Sequence, residues 1–307
     1  MGVVRVATCQ FPVSAGIAAN LRHITRQTHI ARQRGAHVAH FPEAALSGYA
    51  GTDFENFAGF DWDELARAAS QVLECARDTG LWVILGSAHR LTGANKPHNS
   101  LYVINGAGQI VDRYDKRFCS GQDGQSGDLA HYSPGGHCSV WAINGVRCGA
   151  LICYDYRFPE LYREYKRSGV EIMFHSFHAA NASAARMATI ADAIGPELAP
   201  LNRAATHTYP GITMPAVMTA QAAVNHMWIS CPNSSAPQSC WPAFAVRADG
   251  VTVGRLRRNR PGVLVTAMDT DQELYDSTAA WRDRAMAGVL HSGTPVSDPR
   301  SADRTTL

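Results

Sequence analysis

RCGALICYDYRFPELYR, residues 147–163, changes character twice. Residues 148–152 form a continuous apolar run rather than an alternating one, which predicts a strand buried on both faces. Cys153, Tyr154 and Asp155 end the run. Phe158-Pro159-Glu160 follows, with proline where the first turn of a helix accepts it, so a helix is expected over 158–168. A buried strand that feeds a helix through a short polar turn belongs to an α/β fold.

Outward from this stretch, β-rich runs recur at 3–10, 37–43, 81–89, 100–105, 109–115, 138–143, 170–177, 226–233, 244–249, 251–256 and 262–269. Apolar residues at helical spacing fill 14–34, ending before Gly35. They also fill 61–79, which starts acid-rich and ends at Gly80. Asn105-Gly106, Asn144-Gly145 and Asp249-Gly250 are hairpin signals. Helical crossovers alternating with hairpins predict a mixed sheet, or two sheets, with helices outside. No Pro/Ser/Gly-rich linker divides the chain, and it turns polar after Trp281. The expected organisation is one domain over 1–281 and a polar tail over 282–307.

Three chemistry-bearing residues stand just beyond strand-like runs. Residues 37–42 run out into Glu43, 109–115 into Lys116 and 147–152 into Cys153. Ligands of α/β sheets bind outside the carboxyl ends of strands, where a carboxylate, an ammonium and a thiol can converge. A thiol at neutral pH is mostly protonated, and the thiolate is the nucleophile. Glu43 is the candidate base for that proton. Lys116, with the backbone N–H of Tyr154, is the candidate holder of an oxyanion. Lysine occurs only at 96, 116 and 166 in a chain otherwise using arginine, and a compact ammonium suits a tight pocket. Plain readings remain open on spacing alone: a solvated charge or helix cap for Glu43, a surface charge for Lys116, a core residue for Cys153.

Composition narrows the classes. The 307 residues are 46% hydrophobic and 18% charged, with a net charge of +2, so no basic patch for nucleic acid is expected. No segment is long and apolar enough for a membrane span, and the N-terminus lacks the pattern of a signal peptide. The eight cysteines include no C-x-x-C, which fits a reduced, cytoplasmic protein. No H-E-x-x-H or Cys/His spacing suits zinc, and no Gly-rich phosphate loop is present, so nucleotide use has no support.

The segments VRVATCQ (4–10), FPEAALSGY (41–49), YDKRF (114–118), CYDYRFPELYR (153–163), HMWISCPNSS (226–235) and RADGVTVGRL (247–256) resemble the nitrilase (carbon–nitrogen hydrolase) superfamily over roughly residues 3–270. The resemblance implies a four-layer αββα sandwich with mixed sheets. It implies Glu43 as general base, Lys116 as oxyanion stabiliser and Cys153 as nucleophile. It further implies no metal or organic cofactor, a small amide-type substrate, and pairing into a homodimer or higher homo-oligomer. Tyr154-Asp155 after the cysteine is closer to the amidase-like branches than to nitrilase proper. Hydrolysis of a small carboxamide through a Cys153 thioester is therefore the expected activity. An N-carbamoyl amide hydrolase or a nitrilase is the near alternative, and a catalytically silent binding or sensor relative is the alternative of another class.

The chain departs from the family pattern in three places. A second glutamate is expected between the lysine and the Pro-Gly before the nucleophile strand, yet 117–133 holds only Asp123 and Asp128 as carboxylates. Asp128 is the nearer candidate. A late Glu-Asn pair reads Val224-Asn225 here, and 178–224 does not follow common relatives. Tyr49, His178, Asp155 and Arg157 are candidate pocket residues, with His175 near His178. Asp155 and Arg157 are expected to buttress the nucleophile turn as a buried pair. Pocket-shaping loops are expected at 44–60, 118–136 and 178–215.

Overall fold

The computed structural model describes residues 2–202 and 208–305; residues 203–207, within the expected pocket segment, lie outside the described residues. Among the described residues the strands form two six-stranded sheets. The first sheet runs in the order β12 (Gly262–Asp269), β1 (Val3–Gln10), β2 (Val38–His40), β3 (Trp82–His89), β4 (His98–Ile104), β5 (Ile110–Asp115). The second runs β11 (Thr252–Arg255), β10 (Phe244–Val246), β9 (Trp228–Cys231), β8 (Ile172–Ser176), β7 (Val146–Ile152), β6 (Val140–Ile143). In each sheet three central strands are parallel, β1-β2-β3 and β7-β8-β9, and their flanking neighbours are antiparallel.

The sheets face each other. Thr8 Oγ1 on β1 lies 2.7 Å from Ser230 Oγ on β9, and His40 on β2 bonds Ser230 Oγ at 2.9 Å and Ser176 Oγ at 2.8 Å. Helices α1 (Ile17–Gln33) and α2 (Trp62–Thr79) cover the outer face of the first sheet, where Ile24, Leu65 and Val72 pack with Ala7, Ala39 and Val83. On the second sheet, α3 (Pro159–Arg167) and α5 (Tyr209–Asn225) supply Tyr162, Tyr165, Met214 and Met218; α4 (Ala184–Asp192) lies between them in sequence. The result is helix, sheet, sheet, helix. Each fully buried side chain of this size contributes about 1.5–3 kcal/mol relative to exposure.

Local chemistry sets the element ends. Asp61 accepts the Glu64 N–H at 2.7 Å to cap α2, and Gly80 closes it in the left-handed conformation at φ +67°. β2 is shorter than the apolar run 37–43. Pro42 has no N–H for the ladder, and the chain turns away there. β7 ends at Ile152, and residues 153–157 form a single tight helical turn before Pro159 opens α3.

Candidate active site

Glu43 sits in the turn beyond β2 and is fully buried. The turn passes close to β3: an added Cβ on Gly86 would stand 2.1 Å from Pro42 O and 2.8 Å from Ala44 N, so only glycine leaves room. Glu43 Oε1 accepts from Asn99 Nδ2 at 2.7 Å and Lys116 Nζ at 2.9 Å. Oε2 accepts the backbone N–H of His178 at 2.9 Å. Three donors from β4, the end of β5 and the segment after β8 thus hold one carboxylate.

Lys116 follows β5 directly and is 1% exposed. Its Nζ lies 2.7 Å from Asp128 Oδ2. Asp128 stands in a short helical turn, Gly127–Ala130, where Oδ2 also takes the Ser120 N–H at 3.1 Å and Oδ1 takes the Tyr49 hydroxyl. The ammonium is therefore clamped between two buried carboxylates. Burial by itself would lower the Lys116 pKa, but Asp128 and Glu43 reverse that and hold it well above the usual lysine value. For Asp128, burial opposes ionisation, yet Lys116 and the Tyr49 hydrogen bond hold its carboxyl below the ordinary range.

Cys153 is half-buried at the end of β7, with φ +43°, a left-handed conformation that a non-glycine residue adopts only when its surroundings impose it. The Glu43 carboxylate acts electrostatically on its thiol. Burial and the Glu43 carboxylate push the thiol pKa well up against the pull of Lys116, so the resting sulfur keeps its proton. Glu43, Lys116, Asp128 and Cys153 form one electrostatic cluster drawn from both sheets.

Asp155 buttresses this turn without an arginine. Its carboxylate accepts from Ile152 N at 3.0 Å, Phe118 N at 2.9 Å and Tyr114 OH at 2.8 Å, tying the Cys153 turn to the loop after Lys116. Burial raises its pKa to about 6. The buried Asp155–Arg157 pair expected from the sequence is corrected here: Arg157 is exposed and lies over the rings of Tyr156, Tyr154 and Tyr209. Residues two apart in a helical turn do not face each other.

Tyr49 and His178 stack at 5.2 Å between centroids, and Lys116 Nζ is 5.8 Å from the Tyr49 ring. His178 Nε2 stands 3.0 Å from Asp53 Oδ2, both side chains sealed from solvent. Burial opposes both charges, yet each partner sustains the other: the His178 pKa is raised and that of Asp53 is lowered. His178 also borders a cavity of about 430 Å³ lined by Gly51, Thr52, Asn181, Arg186 and Pro210. Another cavity, about 380 Å³, lies between Trp62, Arg90 and His131 and touches none of the four clustered side chains. Asp123 is solvent-exposed, its carboxylate held within its own loop by Gln125 N and Ser126 Oγ. Asn99 and Asp53 escape sequence reading, since a lone Asn at a strand start and a lone Asp in a loop carry no spacing signal. Among the described residues no three His, Cys, Asp or Glu side chains are grouped to hold a metal ion.

A family model described as carbon-nitrogen hydrolase matches residues 5–274. The chain belongs to the carbon-nitrogen hydrolase family. This carbon-nitrogen hydrolase is 30% identical over 143 residues to the 2-oxoglutaramate amidase of Bacillus subtilis (strain 168), covering 46% of the present chain and 52% of that protein. It is 27% identical over 179 residues to the Omega-amidase NIT2 of Xenopus tropicalis, covering 57% of the present chain and 63% of the relative. These matches span about half to under two thirds of the relatives' length. A cysteine-to-alanine mutant of the Nesterenkonia AN1 amidase from the nitrilase superfamily superposes with a TM-score of 0.69 at 18% identity, covering 88% of this chain and 93% of that one. A glutamate-to-glutamine mutant of the same amidase, with the acetamide moiety of fluoroacetamide added covalently at its active-site cysteine, gives a TM-score of 0.68 at 20% identity, covering 87% and 90%. The four-layer architecture of the family is thus the architecture of this carbon-nitrogen hydrolase.

Proposed function

We propose that this protein hydrolyses a small carboxamide to its acid and ammonia through a thioester on Cys153. The observation that carries the reading is the clamp around Lys116: its Nζ sits 2.9 Å from Glu43 and 2.7 Å from Asp128, and Glu43 and Lys116 both act electrostatically on the Cys153 thiol. A buried ammonium held this way has one task that needs a fixed positive charge, the stabilisation of an oxyanion beside the sulfur. The amidase names of the relatives agree with it.

The chemistry follows from the contacts. Glu43 takes the thiol proton as sulfur attacks the amide carbon, and the carbonyl electron pair moves onto oxygen. The Lys116 ammonium and the Tyr154 N–H hold that oxygen. Collapse breaks the C–N bond while Glu43 returns its proton to the leaving nitrogen. Ammonia departs and a thioester remains. Glu43 then deprotonates water, which adds to the thioester; collapse releases the acid, and the sulfur recovers its proton from Glu43. Asp128 moves no proton. It fixes Lys116 and takes the position of the family's second carboxylate.

The same reading places the protein in the cytoplasm as a homodimer or higher homo-oligomer, with residues 282–307 as a tail on a domain of 1–281. All eight cysteines are free, which suits a reducing compartment. The exposed Tyr275, Leu290 and Val296 offer apolar surface for a second copy. The test is ammonia release from a panel of small amides, carbamoyl compounds and nitriles, parent beside Cys153→Ala, with intact-mass detection of the acyl adduct. Cys153-dependent release from amides supports the reading. Absence of release and of any adduct overturns it.

A further inference from the structure

The Cys153 turn is anchored by a residue whose hydrogen bonds go to backbone and to Tyr162. His175 lies on β8, the parallel neighbour of β7, and is fully buried. Its Nε2 is 3.1 Å from the backbone oxygen of Cys153, and its Nδ1 is 2.6 Å from the Tyr162 hydroxyl on α3. A carbonyl only accepts, so Nε2 carries the proton and Nδ1 takes the one from Tyr162. Burial lowers the His175 pKa to about 3, which keeps this neutral tautomer at any ordinary pH. The ring is also stacked on Phe177 at 4.4 Å and 8°, so its plane is fixed.

The consequence lies across the peptide. The 153–154 peptide is planar and trans, so its C=O and N–H point in opposite directions. A bond that fixes the Cys153 oxygen on one side fixes the Tyr154 N–H on the other. That N–H opens a helical turn, where the first donors have no carbonyl within the turn to bond. We infer that His175 is a positioning residue for the oxyanion site: its bond to the Cys153 carbonyl aims the Tyr154 N–H, with Tyr162 setting the tautomer. The left-handed φ of Cys153 makes such an anchor necessary, since this backbone is strained and relaxes unless held. The inference rests on the amide-hydrolase reading of Cys153.

The experiment separates nucleophile from oxyanion site. Alkylation of Cys153 by iodoethane, which carries no carbonyl for the hole, displaces iodide at carbon and develops no oxyanion. Butyraldehyde adds the thiol to its carbonyl and places the resulting oxygen in the hole, so its protection of Cys153 against alkylation reads the hole alone. Both are followed by intact mass on the full chain. In His175→Phe, which keeps the ring stack and loses the donor, unprotected alkylation is expected to stay within about threefold of the parent, while half-protection needs about tenfold or more aldehyde. His175→Gln, which restores a donor, and Tyr162→Phe, which frees the tautomer, should fall between. Unchanged aldehyde protection in His175→Phe overturns the inference. So does a parallel loss of alkylation and of thermal stability in both His175 variants, which marks a packing role. A parent whose Cys153 alkylates but gains no protection has no oxyanion site, and the inference falls while the nucleophile stands. A parent whose Cys153 does not alkylate ahead of the other thiols brings down the hydrolase reading and the inference together.

Discussion

Lys116 Nζ and Asp128 Oδ2 lie 2.7 Å apart with both side chains sealed from water. The shorter carboxylate reaches the ammonium because the Gly127–Ala130 turn and the Ser120 contacts bring its backbone inward. Asp128→Asn keeps the shape and removes the charge. Lys116 retains Glu43, so turnover should fall by about tenfold to a hundredfold, the scale of a misplaced catalytic group. The fall should be milder than for Cys153→Ala. Steady-state ammonia release decides it, and an unchanged rate removes Asp128 from the site.

Cys153→Ala should abolish turnover and leave the fold in place. Cys153 packs only at the edge of the core, and the neighbouring backbone is held by Asp155 and His175. Circular dichroism and a melting curve should match the parent within about 1 kcal/mol, as expected where no buried partner is left unpaired. Residual activity within about tenfold of the parent would rule out the covalent mechanism.

The Asp53–His178 pair predicts a pH signature in stability. The lowered Asp53 pKa stabilises the fold above the unfolded value near 3.8, and this is lost as pH falls through the folded value. The raised His178 pKa stabilises below the unfolded value near 6.5, and this is lost as pH rises through the folded value. Between those limits, Asp53→Asn should cost about 3–5 kcal/mol, the cost of breaking a buried pair. The gap between parent and variant should narrow as pH rises through the raised folded value of His178, where the buried imidazole goes neutral. Denaturant melts at pH 5.5 and pH 9 test this, and a gap independent of pH would refute the charged pair.

Gly86→Ala should damage the site from beneath. The new Cβ has no space against Pro42 O and Ala44 N, so the Glu43 turn must shift. Overpacking of this kind costs about 1–3 kcal/mol. Activity should drop further than stability suggests, because the Glu43 contacts to Lys116 and Asn99 depend on that turn. Equal activity in parent and variant would show that the turn tolerates movement.

Much of the scaffold was legible in local sequence. The runs 3–10 and 262–269 coincide with β1 and β12, and 61–79 with α2, because apolar periodicity and end signals such as Asp61 and Gly80 act over a few residues. Glu43, Lys116 and Cys153 stand out in the sequence as residues just beyond strand-like runs, Asp128 as the nearer carboxylate in 117–133, and FPEAALSGY, YDKRF and CYDYRFPELYR carry the family resemblance.

What only the tertiary structure decided is how distant groups satisfy one another. His40 bridges the sheets to Ser176 and Ser230, Asn99 bonds Glu43, His175 anchors the Cys153 carbonyl, and Asp53 ionises beside His178. Each pairing exists because burial removes water and obliges a polar group to find a partner within about 3 Å. Local propensity carries no record of which remote residue that will be. The sequence reading expects Asp155 and Arg157 to form a buried pair, and the helical turn sets them apart. The sequence by itself determined most of the strands, α1 to α3 and the family, but not α4 or α5; distance and desolvation in the folded chain decided the partners.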